Sequence, residues 1–99
     1  MTKVSKVELD KWRMLNAADV IQKLADYANC DTTYIPIKSE KSSRWYVTIR
    51  ESGEYEILTT GPKWFDMRSK RGGGGAIDLV MHLYNIDFKQ AVAKLRGAL

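Results

Sequence analysis

The feature that most constrains the fold is an alternation of apolar and polar residues in the middle of the chain. The segment RWYVTIR (44–50) places an apolar residue at every second position. This period of two is typical of a β-strand with one buried face. The turn-forming segment ESGE (51–54) follows, and YEILTT (55–60) resumes the β-rich pattern. Together these segments predict a β-hairpin.

Shorter segments on either side extend the predicted sheet. Residues 33–37 are rich in β-formers, and Pro36 indicates an edge or an end there. A polar loop, 38–43, separates this segment from the hairpin. After the hairpin, Gly61-Pro62 marks a turn, and residues 63–67 form another candidate strand. We therefore expect an antiparallel meander of three or four strands.

Helical periodicity precedes this sheet. A short helix is expected over 7–14, after a loose, polar start at residues 1–6. Asn16 is a suitable N-cap for a second helix, over 17–28, in which apolar residues recur at helical spacing.

Two further helices follow the glycine run 72–75. The first ends at Asn85, and the second begins after Asp87, which with Gln90 matches a capping box. Their apolar stripes comprise Ile77, Val80, Met81, Tyr84, Phe88, Ala91, Val92 and Leu95. The predicted fold class is α+β: a small antiparallel sheet flanked by an N-terminal helix and a C-terminal helical pair.

Composition limits the class of protein. Ninety-nine residues with 44% hydrophobic content fit a single domain spanning 1–99. The lone cysteine, Cys30, allows no internal disulfide, which favours a reducing compartment. Neither a membrane-length apolar run nor a secretory signal is present, so a cytoplasmic protein without membrane association is expected.

The net charge of +4 is concentrated in two windows. The first, 61–71, is followed by the glycine run 72–75 ahead of a helix. Glycines let backbone amides approach a phosphate, and a helix N-terminus attracts anions. The nucleic-acid-binding candidates there are Lys63, Arg68, Lys70, Arg71, Gly73 and Gly74. The alternative is a solvated turn that only joins a strand to a helix.

The second basic window, 38–50, includes the hairpin. Arg44, Tyr46 and Arg50 share one face of the predicted strand, where a tyrosine can stack on an unpaired base. Trp64 is a further stacking candidate. For Trp64, as for Trp45 in the hairpin, the competing interpretation is burial in the core of a small sheet.

Catalytic and metal sites find little support. His82 and Asp78 lie four residues apart on a polar helix face, a pattern more typical of solvated surface than of an acid–base pair. Cys30 is interpreted as a partly buried thiol, and Asp66 is too isolated to indicate a metal site. We expect no enzymatic activity, no cofactor and no metal ion.

The segment from Trp64 to Leu95 resembles the end of the zinc-binding domain of bacterial DnaG-type DNA primases, and with weaker upstream matches the likeness covers about residues 16–96. The shared pattern runs from an aromatic strand through a basic turn and a glycine pair to two helices. Its residues here are Trp64, Phe65, Arg68 to Arg71, Gly73, Gly74, Ala76, Ile77, Asp78, Phe88, Ala91 and Val92.

The likeness to this family does not extend to zinc. Zinc-binding members hold the metal with three cysteines and a histidine across the strands, whereas the matching strands here, 46–50 and 64–67, contain neither residue type. The chain therefore resembles the zinc-free relatives found in plasmid, phage and conjugation proteins. In that family, catalysis belongs to a separate domain, so this chain would be an excised domain or a free-standing accessory protein.

The resemblance implies a function in binding single-stranded DNA during replication or priming of a mobile element. The alternative is an adaptor that docks onto a polymerase, primase or helicase through protein contacts. An apolar face left exposed on the helices would favour the adaptor.

Overall fold

The structure is a computed structural model that describes residues 4–35 and 42–98. Within them, an antiparallel sheet pairs each strand with the next along the chain. Its strands are β1 (Tyr27–Cys30), β2 (Ser42–Ile49), β3 (Gly53–Thr60), β4 (Lys63–Asp66) and β5 (Arg71–Gly74). The helices are α1 (Lys6–Met14), α2 (Ala17–Leu24), α3 (Ala76–Tyr84) and α4 (Phe88–Ala98). The predicted α+β class is confirmed, with five strands rather than three or four.

The central hairpin is the predicted one. β2 and β3 pair along their full lengths and end with Ile49 opposite Gly53. Gly53 has a φ of 118°, a conformation that glycine adopts without strain. Because residues directly opposite in an antiparallel pair share a face, Val47 and Ile49 lie on the same face as Ile57, and all three are buried.

β1 occupies part of the segment predicted as the end of a helix over 17–28, so that helix prediction was too long. α2 ends at Leu24, and the Asp26 amide already donates to the Thr48 carbonyl at 3.1 Å. Ala28 fits both patterns, because an inward strand position and a helical stripe both accept a small apolar side chain.

The strand predicted over 33–37 is not formed by its described residues. The Asp31 carboxylate accepts hydrogen bonds from the amide and the hydroxyl of Thr33, at 2.9 and 2.6 Å, and so closes a turn. Tyr34 and Ile35 have no regular structure. Residues 36–41, including Pro36 and most of the predicted loop, lie outside the described residues.

The glycine run was predicted to be a phosphate-contacting loop ahead of a helix, with a solvated turn as the alternative, but its first three glycines belong to β5. Gly73 lies opposite Trp64, and Gly72 lies opposite Phe65. A Cβ on Gly73 would stand 1.8 Å from the Asp78 carboxylate and 3.0 Å from the Trp64 ring, so any larger residue there would displace the Asp78 side chain. The bare backbone thus lets the side chains of β4 and α3 approach β5 closely.

The first helix starts earlier than predicted. The Ser5 hydroxyl accepts from the Glu8 amide at 3.1 Å, and the Glu8 carboxylate accepts from the Ser5 amide at 3.4 Å. This reciprocal capping box fixes the helix start at Lys6. Residues 4–6 are therefore not the loose segment that was predicted for 1–6, and residues 1–3 lie outside the described part of the chain.

The other predicted helix ends agree with the structure. Asn16 is the N-cap of α2, although its side chain makes no capping hydrogen bond. Asn85 ends α3 in the left-handed conformation, with a φ of 53°. Asp87 and Gln90 form the predicted reciprocal pair at the start of α4, at 2.9 and 3.1 Å.

The core lies between the sheet and the helices. α2 and α3 pack on the inward face of the sheet, and α1 and α4 pack against α3. One hydrophobic cluster unites both helical regions with the sheet. Its largest fully buried members are Ile21, Ile49, Ile57, Leu79, Leu83 and Leu95.

The tight approach of α3 to β5 predicts unequal effects of two neighbouring substitutions. Gly73→Ala should lower the free energy of unfolding by about 1–3 kcal/mol, because its methyl group collides with Asp78 and with the Trp64 ring. Gly74→Ala, whose methyl group would meet no atom within 4 Å, should stay within about 1 kcal/mol of wild type. Urea unfolding measures both, and equal midpoints would contradict this packing.

Candidate functional site

The face of the sheet opposite the helices is exposed to solvent. We call it the open face, and the alternation and register of the strands place one set of side chains on it. It comprises Tyr27, Asn29, Arg44, Tyr46, Thr48, Glu54, Glu56, Leu58, Lys63 and Phe65. An antiparallel sheet with one packed and one solvated face commonly alternates in this way, but the solvated face then carries mainly polar side chains. Here it also carries aromatic rings.

Three aromatic side chains lie on the open face. Tyr27 is 59% exposed, and Tyr46 and Phe65 are each 38% exposed. β3 separates the strands of Tyr46 and Phe65, and their partners Glu56 and Leu58 are two residues apart on β3, so the two residues lie roughly 12 Å apart on the sheet. The Phe65 ring lies against the backbone of Gly72, where an added Cβ would stand 3.0 Å from the ring. The neighbouring strand β5 therefore supports Phe65 on one side.

An ion-pair network crosses the centre of the open face. Arg44 donates to the Glu56 carboxylate at 2.6 Å, and its guanidinium lies 5.4 Å from the centre of the Tyr46 ring. Arg68 reaches over from the turn after β4 to the other Glu56 oxygen, at 3.4 Å. The hydrogen bond from Arg44 lowers the pKa of Glu56, against the raising effect of its desolvation.

Of the remaining basic candidates, one lies on the open face and three lie at its borders. Lys63 is exposed at the start of β4, on the open face. Arg50 lies beyond the end of β2, where its side chain pairs with Asp26 at 3.7 Å. Lys70 is in the turn before β5, with a φ of 60°, and Arg71 opens β5 on the inward side. The structure thus brings Arg44, Lys63 and Arg68 to one face and leaves the others at its borders.

The other predicted contacts have structural roles. Trp64 is 5% exposed and packs inward, so it is not accessible to a base. Gly73 and Gly74 belong to β5, and the Gly74 amide donates to the Asp78 carboxylate at 3.2 Å. An acidic side chain therefore already occupies the start of α3, where an anion was expected to bind.

A polar cleft on the helix side of the sheet was not predicted from the sequence. It encloses about 710 Å³ between the turn before β5, α3 and the turn after β2. At its floor, His82 Nε2 lies 2.7 Å from Asp66 Oδ2. The His82 ring stacks on Trp64 with centroids 4.7 Å apart and meets the edge of Tyr55 at 5.9 Å.

Asp66 is held from several directions. Its other oxygen, Oδ1, accepts from the amides of Arg68 and Ser69 at 2.9 and 3.1 Å. Burial raises the pKa of this carboxyl, but the hydrogen bonds from His82, Ser69 and Arg68 lower it further, and the net pKa lies below its ordinary value. An ionised carboxylate only accepts, so His82 Nε2 carries the proton and donates.

His82 and Asp78 share a polar helix face in the sequence, but in the structure they have different partners. Asp78 bonds to β5, whereas His82 bonds to Asp66, so the two do not form an acid–base pair. The alternation along the strand could have predicted the partner of His82. Trp64 and Asp66 lie on the same face of β4, so burial of Trp64 implies burial of Asp66. A buried carboxylate requires a hydrogen-bond partner.

No protein-family model, curated protein sequence or solved structure matches the chain. Among residues 4–35 and 42–98, no three His, Cys, Asp or Glu side chains are grouped so that they could hold a metal ion. In the same part of the chain, no helix is long and apolar enough to cross a membrane.

The buried pair predicts a pH-dependent contribution to stability. Asp66→Asn should lower the free energy of unfolding by about 1–3 kcal/mol at neutral pH, because the charged acceptor of His82 is lost. The folded-state pKa of Asp66 lies below its ordinary value of 3.8. The contribution of Asp66 to the free energy of unfolding is therefore complete above pH 3.8, and it is lost as the pH falls through the folded-state pKa.

Urea unfolding at several pH values tests this expectation. The gap between wild type and Asp66→Asn should narrow on the acid side. Asp10→Asn, an exposed matched control, should stay within about 0.5 kcal/mol of wild type throughout. A gap for Asp66→Asn that is constant down to low pH would contradict the ionised pair.

Proposed function

We propose that the protein binds single-stranded nucleic acid, in the first instance single-stranded DNA, through the open face of its sheet. One observation carries the proposal: exposed Tyr46 and Phe65 stand among Arg44, Lys63 and Arg68 on a face that the helices leave uncovered. Stacking surfaces beside cations are the two elements of sequence-tolerant single-strand binding.

The spacing of the rings suits an unpaired strand. Two bases of a splayed single strand can each stack on one ring, and a separation of roughly 12 Å leaves room for the backbone to pass between Tyr46 and Phe65. A duplex would not offer its base faces to these rings, because its bases are already stacked on each other. Single strands should therefore be preferred.

The charge of the open face supports modest, salt-dependent binding without sequence preference. Three basic side chains face Glu54 and Glu56, and Asp31 also interacts with Arg44, so the attraction for phosphate is weak at the centre. Lys70, Arg71 and Arg50 lie at the borders, where a longer strand would meet them. Stacking is accordingly expected to supply much of the affinity.

The biological setting is also part of the proposal. The likeness of the segment from Trp64 to Leu95 to the primase zinc-binding domain supports a cytoplasmic accessory function in DNA replication or priming, in a plasmid or phage-like element. The partner enzyme would be a polymerase, primase or helicase. The proposed domain would bind no zinc, because strands 46–50 and 64–67 lack the cysteines and histidine that hold the metal in that family.

An adaptor function is the second candidate, and one observation favours it. Val7 and Met14, seven residues apart on α1, are 77% and 80% exposed. Exposed apolar side chains that share one face of a helix are a candidate protein contact, so the chain could hold a replication enzyme with α1 and nucleic acid with the sheet.

The stacking interpretation predicts the effect of removing each ring. Tyr46→Ala and Phe65→Ala should each weaken binding to a labelled oligothymidine by about 1–3 kcal/mol, because each removes one base-stacking surface. Phe88→Ala removes a ring that is 44% exposed on α4, away from the open face, and should leave binding unchanged. Fluorescence anisotropy measures all three variants.

Equal binding by all variants would contradict stacking on the open face. Absence of binding by the wild type at low salt would refute the function itself, and a pull-down for a replication-enzyme partner would then test the adaptor. A matching duplex should bind more weakly than the single strand.

Lys63 predicts a separate, electrostatic effect. Lys63→Gln should lower the slope of log affinity against log salt by about 0.7, because one fewer phosphate is neutralised. Lys89→Gln removes the same charge from an exposed site on α4 and should leave the slope unchanged. Anisotropy titrations at several salt concentrations measure both slopes, and equal slopes for the two variants would place the phosphate contact elsewhere.

A further inference from the structure

Glu56 lies at the centre of the open face, where an acidic side chain opposes the binding of a polyanion. It is directly opposite Tyr46 on β2, and its side chain is 22% exposed. It contacts two arginines at once, one with each carboxylate oxygen. These two contacts differ, and the difference indicates what Glu56 does.

The contact with Arg44 is tight. The nitrogen–oxygen distance is 2.6 Å, the Arg44 side chain is 27% exposed, and its guanidinium lies over the Tyr46 ring. Among the described residues, Arg44 Nε is buried without a hydrogen-bond partner. Moving Arg44 away would break a short charged hydrogen bond and disturb the ring that is to stack on a base, so Arg44 should stay in place.

The contact with Arg68 is loose. Both nitrogen–oxygen distances to Glu56 are 3.4 Å, and the third guanidinium nitrogen is 3.4 Å from the Glu54 carbonyl oxygen. The Arg68 side chain is 52% exposed and extends from a turn. A long, exposed ion pair contributes little, so Arg68 can exchange partners at small cost.

We propose that Glu56 acts as an internal competitor for nucleic acid, holding Arg68 over the open face until a backbone phosphate displaces it. Arg44 stays on Glu56 throughout, so the carboxylate is never left unpaired. Phosphate, like carboxylate, matches the planar fork of the guanidinium. This inference rests on the proposed function and adds to it the residue that limits affinity.

The test compares two substitutions that remove the same charge from the same face. Glu56→Gln removes the carboxylate that holds both Arg44 and Arg68, whereas Glu54→Gln leaves the contacts of both arginines with Glu56 intact. Glu56→Gln should tighten binding to an oligothymidine of about twelve nucleotides by about two- to fivefold, the range expected for one exposed ion pair. Glu54→Gln should gain less than about twofold through net charge alone.

A double-mutant cycle shows whether the gain acts through Arg68. In an Arg68→Ala background, the advantage of Glu56→Gln over Glu54→Gln should shrink, because only Arg44 then remains to be freed from the carboxylate. An advantage of undiminished size in this background would overturn the proposal, and so would equal gains for the two single variants. Circular dichroism melts of each variant verify that the fold is retained.

Nuclear magnetic resonance of the unmodified protein gives an independent measurement. On titration with the oligonucleotide, the guanidinium resonance of Arg68 should shift strongly while that of Arg44 stays near its free position. Shifts of equal size would overturn the proposed exchange even though the protein binds. Absence of binding by wild type and by Glu56→Gln alike would instead refute the proposed function. Binding by Glu56→Gln alone would support the proposal, because Glu56 would then prevent binding in the wild type.

Discussion

The buried carboxylate of Asp66 is the interaction on which the arrangement of sheet and helices depends. It joins β4 to α3 through His82 and closes the following turn through the amides of Arg68 and Ser69. Such a group is costly inside a protein unless every oxygen is paired, so its partners have little freedom to move. The turn then fixes the backbone of Arg68, and the Arg68 side chain extends from there to Glu56 on the open face.

The same strand gives the two faces of the sheet different properties. Trp64 and Asp66 point toward the helices, and Phe65 between them points away. Because side chains alternate along a strand, the residues that secure α3 also force an aromatic ring onto the open face. Packing and binding are therefore linked: a one-residue shift in the register of β4 would bury Phe65 and expose the carboxylate.

Much of this fold followed from local patterns, and the failures have identifiable causes. The hairpin and the helix ends at Asn85 and Asp87 are encoded within a few residues, so alternation and capping predicted them. β5 was missed because glycines carry no pattern, and only its pairing with β4 makes it a strand. The pair of Asp66 and His82 joins residues sixteen apart on different elements, which no local period reveals.

The candidate site was predictable to the same degree. Tyr46 and Arg44 lie where strand alternation placed them, whereas the neutralising role of Glu56 required the register between β2 and β3. That register has a consequence for selectivity. Under the proposed function, paired Arg44 and Arg68 would attract a duplex weakly, because duplex binding relies mainly on phosphate charge. An unpaired strand would also gain stacking energy from Tyr46 and Phe65, so Glu56 would favour single strands by weakening only the electrostatic attraction that both forms share.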